Sequence, residues 1–368
     1  MGRPDLTTRP HIDALTGIRG IAAWLVVLYH IRTAFVPSLP GGIIDVLAKG
    51  YLAVDLFFVL SGFVLWMTWG QRLAVEQWRA VPGFLNKRIA RVWPLHAFIL
   101  TATVALALVM MASGRTPVDH DHWNELPLHY LLIQNWGFTS QLAWNHPSWS
   151  ISTELAAYLG FALFVPLIGQ AIRRMSVTAK VLGALATSIA MIVLLDQFFM
   201  LHGETTLGPN IPYFGLARCL TQFICGVAMC IVWQTAHGPL LRISTAAVFM
   251  LSIALWMGGV AREVLTIPVA FAALVPLIAS TSALPHNPLA SRIAVFLGEI
   301  SYSTYLSHFL LWSVFKLMFV RDAANVSLLL GAIFLVATLV ASVFLYRFVE
   351  VPARRRFGEY AVRKPVTA

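Results

Sequence analysis

Residues 19–30 read RGIAAWLVVLYH, ten almost wholly apolar positions held between an arginine and a histidine. Such a run belongs either to a soluble core or to a bilayer, and the rest of the chain decides between them. Of 368 residues, 58% are hydrophobic and only 11% are charged, against about 25% charged in an ordinary soluble domain. Mean hydropathy is +0.76. Apolar runs of about 20 residues, the length a helical crossing needs, recur from end to end. A helix satisfies its own backbone polar groups in lipid, so it is the expected element. The fold class is therefore all-α, a polytopic transmembrane helical bundle.

Ten spans are predicted, at 17–36, 50–69, 93–112, 149–170, 178–200, 213–234, 240–258, 264–284, 297–320 and 325–346. The stretch 70–92 is basic and amphipathic, with Arg72, Arg79, Lys87, Arg88 and Arg91, and is expected to lie along a membrane surface. Residues 113–148 form the longest loop. A cleaved signal peptide is a poor account of the first run, which contains His30 and ends at Arg32 without a small-x-small site. Cys219, Cys225 and Cys230 fall inside one apolar run and read as small core residues.

Lysine and arginine set the orientation. With the N-terminus inside, 19 of the 26 fall on the inner side and five on the outer, so both termini are expected to be cytoplasmic. The net charge of +10 then reflects topology and contact with anionic membrane lipids. It is spread over the loops of one face, which argues against a nucleic-acid partner.

Arg19 and His30 are eleven residues apart, three helical turns plus roughly 20°, so they share a face about 16 Å apart along the axis. Ionisable residues inside a membrane are costly and mark function by default. Arg19 is expected at the cytoplasmic boundary, with His30 and His308 near the midplane. Asp55, Glu154 and Arg218 are expected in the outer half, and Arg88 and Arg91 on the cytoplasmic side. A positive cluster inside and a histidine–carboxylate group deeper in suggest a route across the membrane for an anionic ligand.

At this point a resemblance becomes specific. DALTGIRGIAAWLVVLYH ends in Arg, ten residues, His; VDLFFVLSGF occupies Val54 to Phe63; Arg88, Arg91 and Pro94 form an R-x-x-R-x-x-P element. Trp149, Ser150 and Glu154 lie in a W-S-x-x-x-E element, and Arg218, Phe223 and Gly226 in a further one. SYSTYLSH spans Ser301 to His308, and Glu350 and Pro352 close the series. In that order and spacing the chain resembles the acyltransferase-3 family of bacterial membrane-bound O-acyltransferases, over residues 1–366 as a single domain. Leu155 stands where many relatives have a second glutamate, and Ala53 where a glycine is frequent. No appended extracytoplasmic esterase-like domain is expected.

The resemblance implies an acyl-CoA donor, most often acetyl-CoA, and transfer to a sugar hydroxyl. The acceptor would be a glycan or lipid-linked sugar of a surface or exported polysaccharide, and the location the bacterial cytoplasmic (inner) membrane. A sugar hydroxyl is a weak nucleophile until a base takes its proton, and an imidazole suits that task. His30 is the expected general base, oriented by Glu154 or, second, Asp55. Arginine forks suit phosphates, so Arg88 and Arg91 are expected to hold CoA and Arg19 to guide its pantetheine arm. Arg218, Trp149, Tyr302 and His308 are candidates for holding the acceptor.

Plainer readings stand beside these. Arg88 and Arg91 also fit positive-inside anchors, Asp55 an ion-pair partner for Arg218, and His308 a packing residue beside Tyr302 and Tyr305. Ser61, Ser150 and Ser301 read as helix contacts. Asp119, His120, Asp121 and His122 have a metal-like composition but no matching further element, so no metal is expected. A proton-coupled secondary transporter is a competing class, although no internal repeat supports it. A non-catalytic component of glycan assembly is another. Any second transfer step would need partner proteins of polysaccharide assembly.

Overall fold

A computed structural model describes residues 12–117, 122–236 and 238–360, with side chains to 356. Within them the chain is helical and contains no strand. The helices are α1 (Asp13–Ile31), α2 (Gly41–Ala48), α3 (Ala53–Leu65), α4 (Gln71–Glu76), α5 (Val81–Ala112), α6 (Leu126–Leu131), α7 (Ser148–Arg174) and α8 (Val177–Leu201). They continue with α9 (Ile211–Thr235), α10 (Pro239–Met257), α11 (Glu263–Thr281), α12 (Arg292–Glu299), α13 (Ser301–Phe319), α14 (Leu328–Leu345) and α15 (Val351–Tyr360).

Eight described stretches are long and apolar enough to cross a membrane: Asp13–Phe35, Val81–Ala112, Ser148–Arg174, Val177–Leu201, Ile211–Thr235, Pro239–Met257, Glu263–Thr281 and Leu328–Arg356. Each overlaps one of ten expected spans. The other two expected spans are interrupted. The run at 50–69 becomes α3 followed by a π-helical turn at Trp66–Gly70. The run at 297–320 breaks at Ile300, between α12 and α13. α3 is apolar but only 13 residues long before its π-turn, whereas α13 carries Ser301, Tyr302 and Tyr305 on a cavity wall.

The stretch 70–92 departs from expectation. After α4 and a short 3-10 turn, the chain enters α5 at Val81 and runs 32 residues without a break. Pro94 lies inside this helix rather than at its start; neighbouring helices in a bundle compensate the lost backbone bond. Arg88 and Arg91 therefore stand on a long helix of the bundle, not on a separate surface element. Of the basic residues counted for orientation, Arg3, Arg9, Arg363 and Lys364 lie outside the described residues.

Apolar composition makes the helices, and hydroxyls start several of them. Ser176 and Ser327 accept the backbone N–H of Ala179 (3.2 Å) and Leu330 (3.3 Å), satisfying donors that a helix start leaves orphaned. α9 and α11 sit in the interior, while α8 and α10 lie at the periphery. The crossing of α3 and α9 is unusually close. A Cβ on Gly62 would lie 1.9 Å from the Phe223 carbonyl oxygen, and one on Gly226 would lie 2.0 Å from that of Val59. Small residues let membrane helices meet backbone to backbone, and this crossing sets Asp55 on α3 against Arg218 on α9. Gly226→Ala is expected to cost about 1–3 kcal/mol through overpacking. Thermal unfolding in detergent checks this, with Gly160→Ala, whose Cβ would meet nothing within 4 Å, as the unaffected control.

Candidate active site

Two cavities lie toward opposite ends of α1. The first, about 400 Å³, meets α1 at residues 12–19. The second, about 260 Å³, meets it at residues 26–32. Tyr305 of α13 is the residue that lines both.

Three arginines and one carboxylate dominate the first cavity. Arg88 and Arg91 come from one face of α5, and Arg19 comes from α1. Arg19 donates from Nη2 to Ser301 Oγ (3.3 Å), and Ser301 donates in turn to the Gly298 carbonyl (2.7 Å). Glu154 accepts from Ser61 Oγ and from the Tyr158 hydroxyl, both at 2.5 Å. Tyr302 donates to the Val92 carbonyl (2.5 Å), tying α13 to α5. The result is a half-buried, net-positive chamber with aromatic walls. Guanidinium forks in such a setting match phosphate oxygens geometrically and electrostatically.

His30 lines the second cavity. It is the penultimate residue of α1, so it stands at that helix's far end rather than in its middle. Its Nδ1–H donates to the Val26 carbonyl at 2.9 Å. A carbonyl only accepts, which assigns the proton to Nδ1 and leaves Nε2 as the lone-pair nitrogen. His308 reports itself in the same way: its Nδ1–H donates to the Tyr305 carbonyl at 2.6 Å. The bare His308 Nε2 then lies 3.2 Å from His30 Nδ1, a second acceptor for the same proton. Tyr29 presses edge-on against His30, with centroids 4.9 Å apart. His146, stacked on Phe309 at 4.6 Å, completes this side.

Neither expected carboxylate reaches His30. Asp55 is fully buried and is engaged by Arg218 through both of its oxygens, Nε to Oδ1 at 2.6 Å and Nη2 to Oδ2. Gln222 donates to it as well, and Arg218 also donates to the Leu207 carbonyl (2.8 Å). The ion pair is therefore closed on itself. Glu154 groups with the three arginines in the first cavity, apart from the Asp55–Arg218 pair, of which only Arg218 lines the second. The place expected for a carboxylate beside the imidazole is held by a second imidazole. The guanidinium of Arg218 lies over the Trp149 ring at 5.4 Å, and both side chains line the second cavity. Tyr302 faces the first cavity.

The sequence offers no role for His146, or for Tyr305 beyond a neighbour of His308, while Ser61 and Ser150 make the helix contacts expected of them, to Glu154 and Tyr305. The two histidines at 30 and 308 share a depth, which was visible; that they touch was not. His146 lies three residues before Trp149, next to a motif that was read, and that adjacency is the signal that could have found it. Cys219, Cys225 and Cys230 are free and buried. Among the described residues there is no group of three or more side chains placed to hold a metal. Asp119, His120 and Asp121 lie outside the described residues, and His122 pairs with Glu125 at 3.2 Å.

Comparison with known proteins bears on this arrangement. The acyltransferase-3 family model, described as an acyltransferase domain, matches residues 12–347. The acyltransferase MdmB of Streptomyces mycarofaciens is 28% identical, over 96% of this chain and 94% of its own length. The O-acetyltransferase OatA of Staphylococcus aureus is 21% identical over 94% of this chain, which spans 58% of that longer protein. No solved structure matches.

Proposed function

Because the chain belongs to the acyltransferase-3 family of membrane acyltransferases, we propose that it carries an acyl group from acyl-CoA, docked in the arginine-lined cavity, to a sugar hydroxyl presented to His30. The observation that carries this reading is the pair of cavities at opposite ends of α1. One is lined by Arg19, Arg88 and Arg91 and the other by His30, and they abut at Tyr305.

Arg88 and Arg91 bind the phosphates of CoA, and Arg19 draws the pantetheine arm toward Tyr305. The basic bias of the loops on that side makes it the cytosolic face of the bacterial cytoplasmic membrane. Aromatic walls at Trp149 and Tyr51 suit a sugar ring, whose C–H face packs on such surfaces. His30 Nε2 takes the proton of the acceptor hydroxyl as its oxygen attacks the thioester carbonyl. The tetrahedral intermediate collapses, the C–S bond breaks, and the imidazolium returns its proton to the departing thiolate. While charged, His30 keeps its Nδ1–H on the Val26 carbonyl and His308 Nε2. This pair of acceptors fixes the ring and spreads the charge, as a carboxylate does in a triad.

The reading extends to an exported polysaccharide, or its lipid-linked precursor, as the acceptor. An oxygen acceptor is supported by the name of the Staphylococcus relative. Transfer of label from radiolabelled acetyl-CoA into alkali-labile material in source-cell membranes tests the activity. Absence of ester label, with the protein present and folded, would end the proposal. The donor site is tested by Arg88→Ala combined with Arg91→Ala. Charge-assisted hydrogen bonds contribute about 1.5–3 kcal/mol each, so CoA affinity is expected to fall on the order of 100-fold or more by calorimetric titration. Unchanged affinity would return both arginines to anchoring the protein against lipid.

A further inference from the structure

Resting on that donor reading, we infer that the Tyr305 ring limits the length of the acyl group, making this protein specific for short acyl chains such as acetyl. Tyr305 alone, among the described residues lining either cavity, belongs to both. It is fastened at each end. Its hydroxyl donates to the Pro147 carbonyl (3.0 Å) and exchanges a hydrogen bond with Ser150 Oγ (2.8 Å). Its own carbonyl accepts from His308. Phe57 of α3 packs edge-on against the ring at 5.9 Å, so the ring is wedged between α3 and α7 and does not give way freely.

The geometry of transfer then constrains the acyl tail. The thioester comes from the arginine side, while the attacking oxygen is held within hydrogen-bond reach of His30 Nε2. The reacting carbon must come within about 3–3.5 Å of that oxygen. Everything beyond the carbonyl carbon therefore lies at Tyr305 or past it, in the second cavity. That cavity measures about 260 Å³ and must also hold the acceptor. Each added methylene competes with the sugar for this space or pushes on a ring hydrogen-bonded in place. A single methylene against a tight wall changes selectivity by about 10–200-fold.

The test uses the full-length protein in source-cell membranes that lack the chromosomal copy and retain the native acceptor. Radiolabelled acetyl-, butyryl- and hexanoyl-CoA serve as donors, and alkali-labile label is the readout. In the unaltered protein, acetyl transfer is expected to exceed hexanoyl transfer by at least ~100-fold. Tyr305→Leu is expected to bring that ratio within about ten-fold, because the ring is gone. Tyr305→Phe keeps the ring and is expected to keep the ratio of the unaltered protein, even if its total rate drops. A hexanoyl rate within ten-fold of the acetyl rate in the unaltered protein overturns the inference. So does an unmoved ratio in a membrane-inserted Tyr305→Leu, or a collapsed ratio in Tyr305→Phe, which would assign selectivity to the hydroxyl. Absence of transfer from every donor removes the acyl-CoA reading itself, a result distinct from transfer without length selection.

Discussion

His30→Ala is expected to lower acyl transfer by about 10²–10⁴-fold, the span that a positioned general base contributes. CoA binding should remain within a few-fold of the unaltered protein, since the arginine cavity lies at the other end of α1. Label transfer and CoA titration on the same membrane preparation measure both. Near-normal transfer would remove His30 from the chemistry. A parallel loss of CoA affinity would show a folding defect instead. The expectation rests on the tautomer: with the Val26 carbonyl and His308 both on Nδ1, Nε2 is the nitrogen left to receive a proton.

The second large effect concerns stability. Asp55→Ala leaves the buried Arg218 guanidinium without its counter-charge, and breaking one side of a buried pair costs about 3–5 kcal/mol. Loss of folded protein from detergent extracts, or a marked fall in unfolding temperature, is the expected outcome. Combining Asp55→Ala with Arg218→Leu should recover part of the loss, because no isolated charge then remains. If Asp55 instead oriented the imidazole, Asp55→Ala would lose activity while keeping its stability, and the double variant would rescue nothing.

Much of the bundle could be read from residue order, because lipid imposes a single requirement, some twenty apolar residues that satisfy their own backbone. The stretches Val177–Leu201 and Ile211–Thr235 fall within two residues of the spans predicted for them. Boundaries are least legible where an element lines a cavity rather than facing lipid. α3 passes into a π-turn at Trp66–Gly70, and α13 is set off from α12 at Ile300. Neither break has a proline to announce it, whereas Pro94, at the edge of the span expected at 93–112, lies well within α5. The site divides in the same way. Counting residues along a helix gives depth, and depth correctly paired His30 with His308. It says nothing about which neighbour a side chain turns toward. Asp55, Glu154 and Arg218 were expected in one outer layer. Asp55 meets Arg218, while Glu154 turns to Ser61 and Tyr158 beside the arginines. The ion pair of Asp55 with Arg218 was among the plain alternatives, and it is the one the packing realises.

The narrow meeting point of the two hollows has an energetic consequence for the cell. A protein excavated from both faces endangers the proton-motive force, since continuous water would let ions run down their gradient. Here a phenol side chain, clasped by Pro147 and Ser150, stands where the two hollows meet. On the reading proposed above, the side chain that would admit a small acyl group would also be the one separating the two hollows between turnovers.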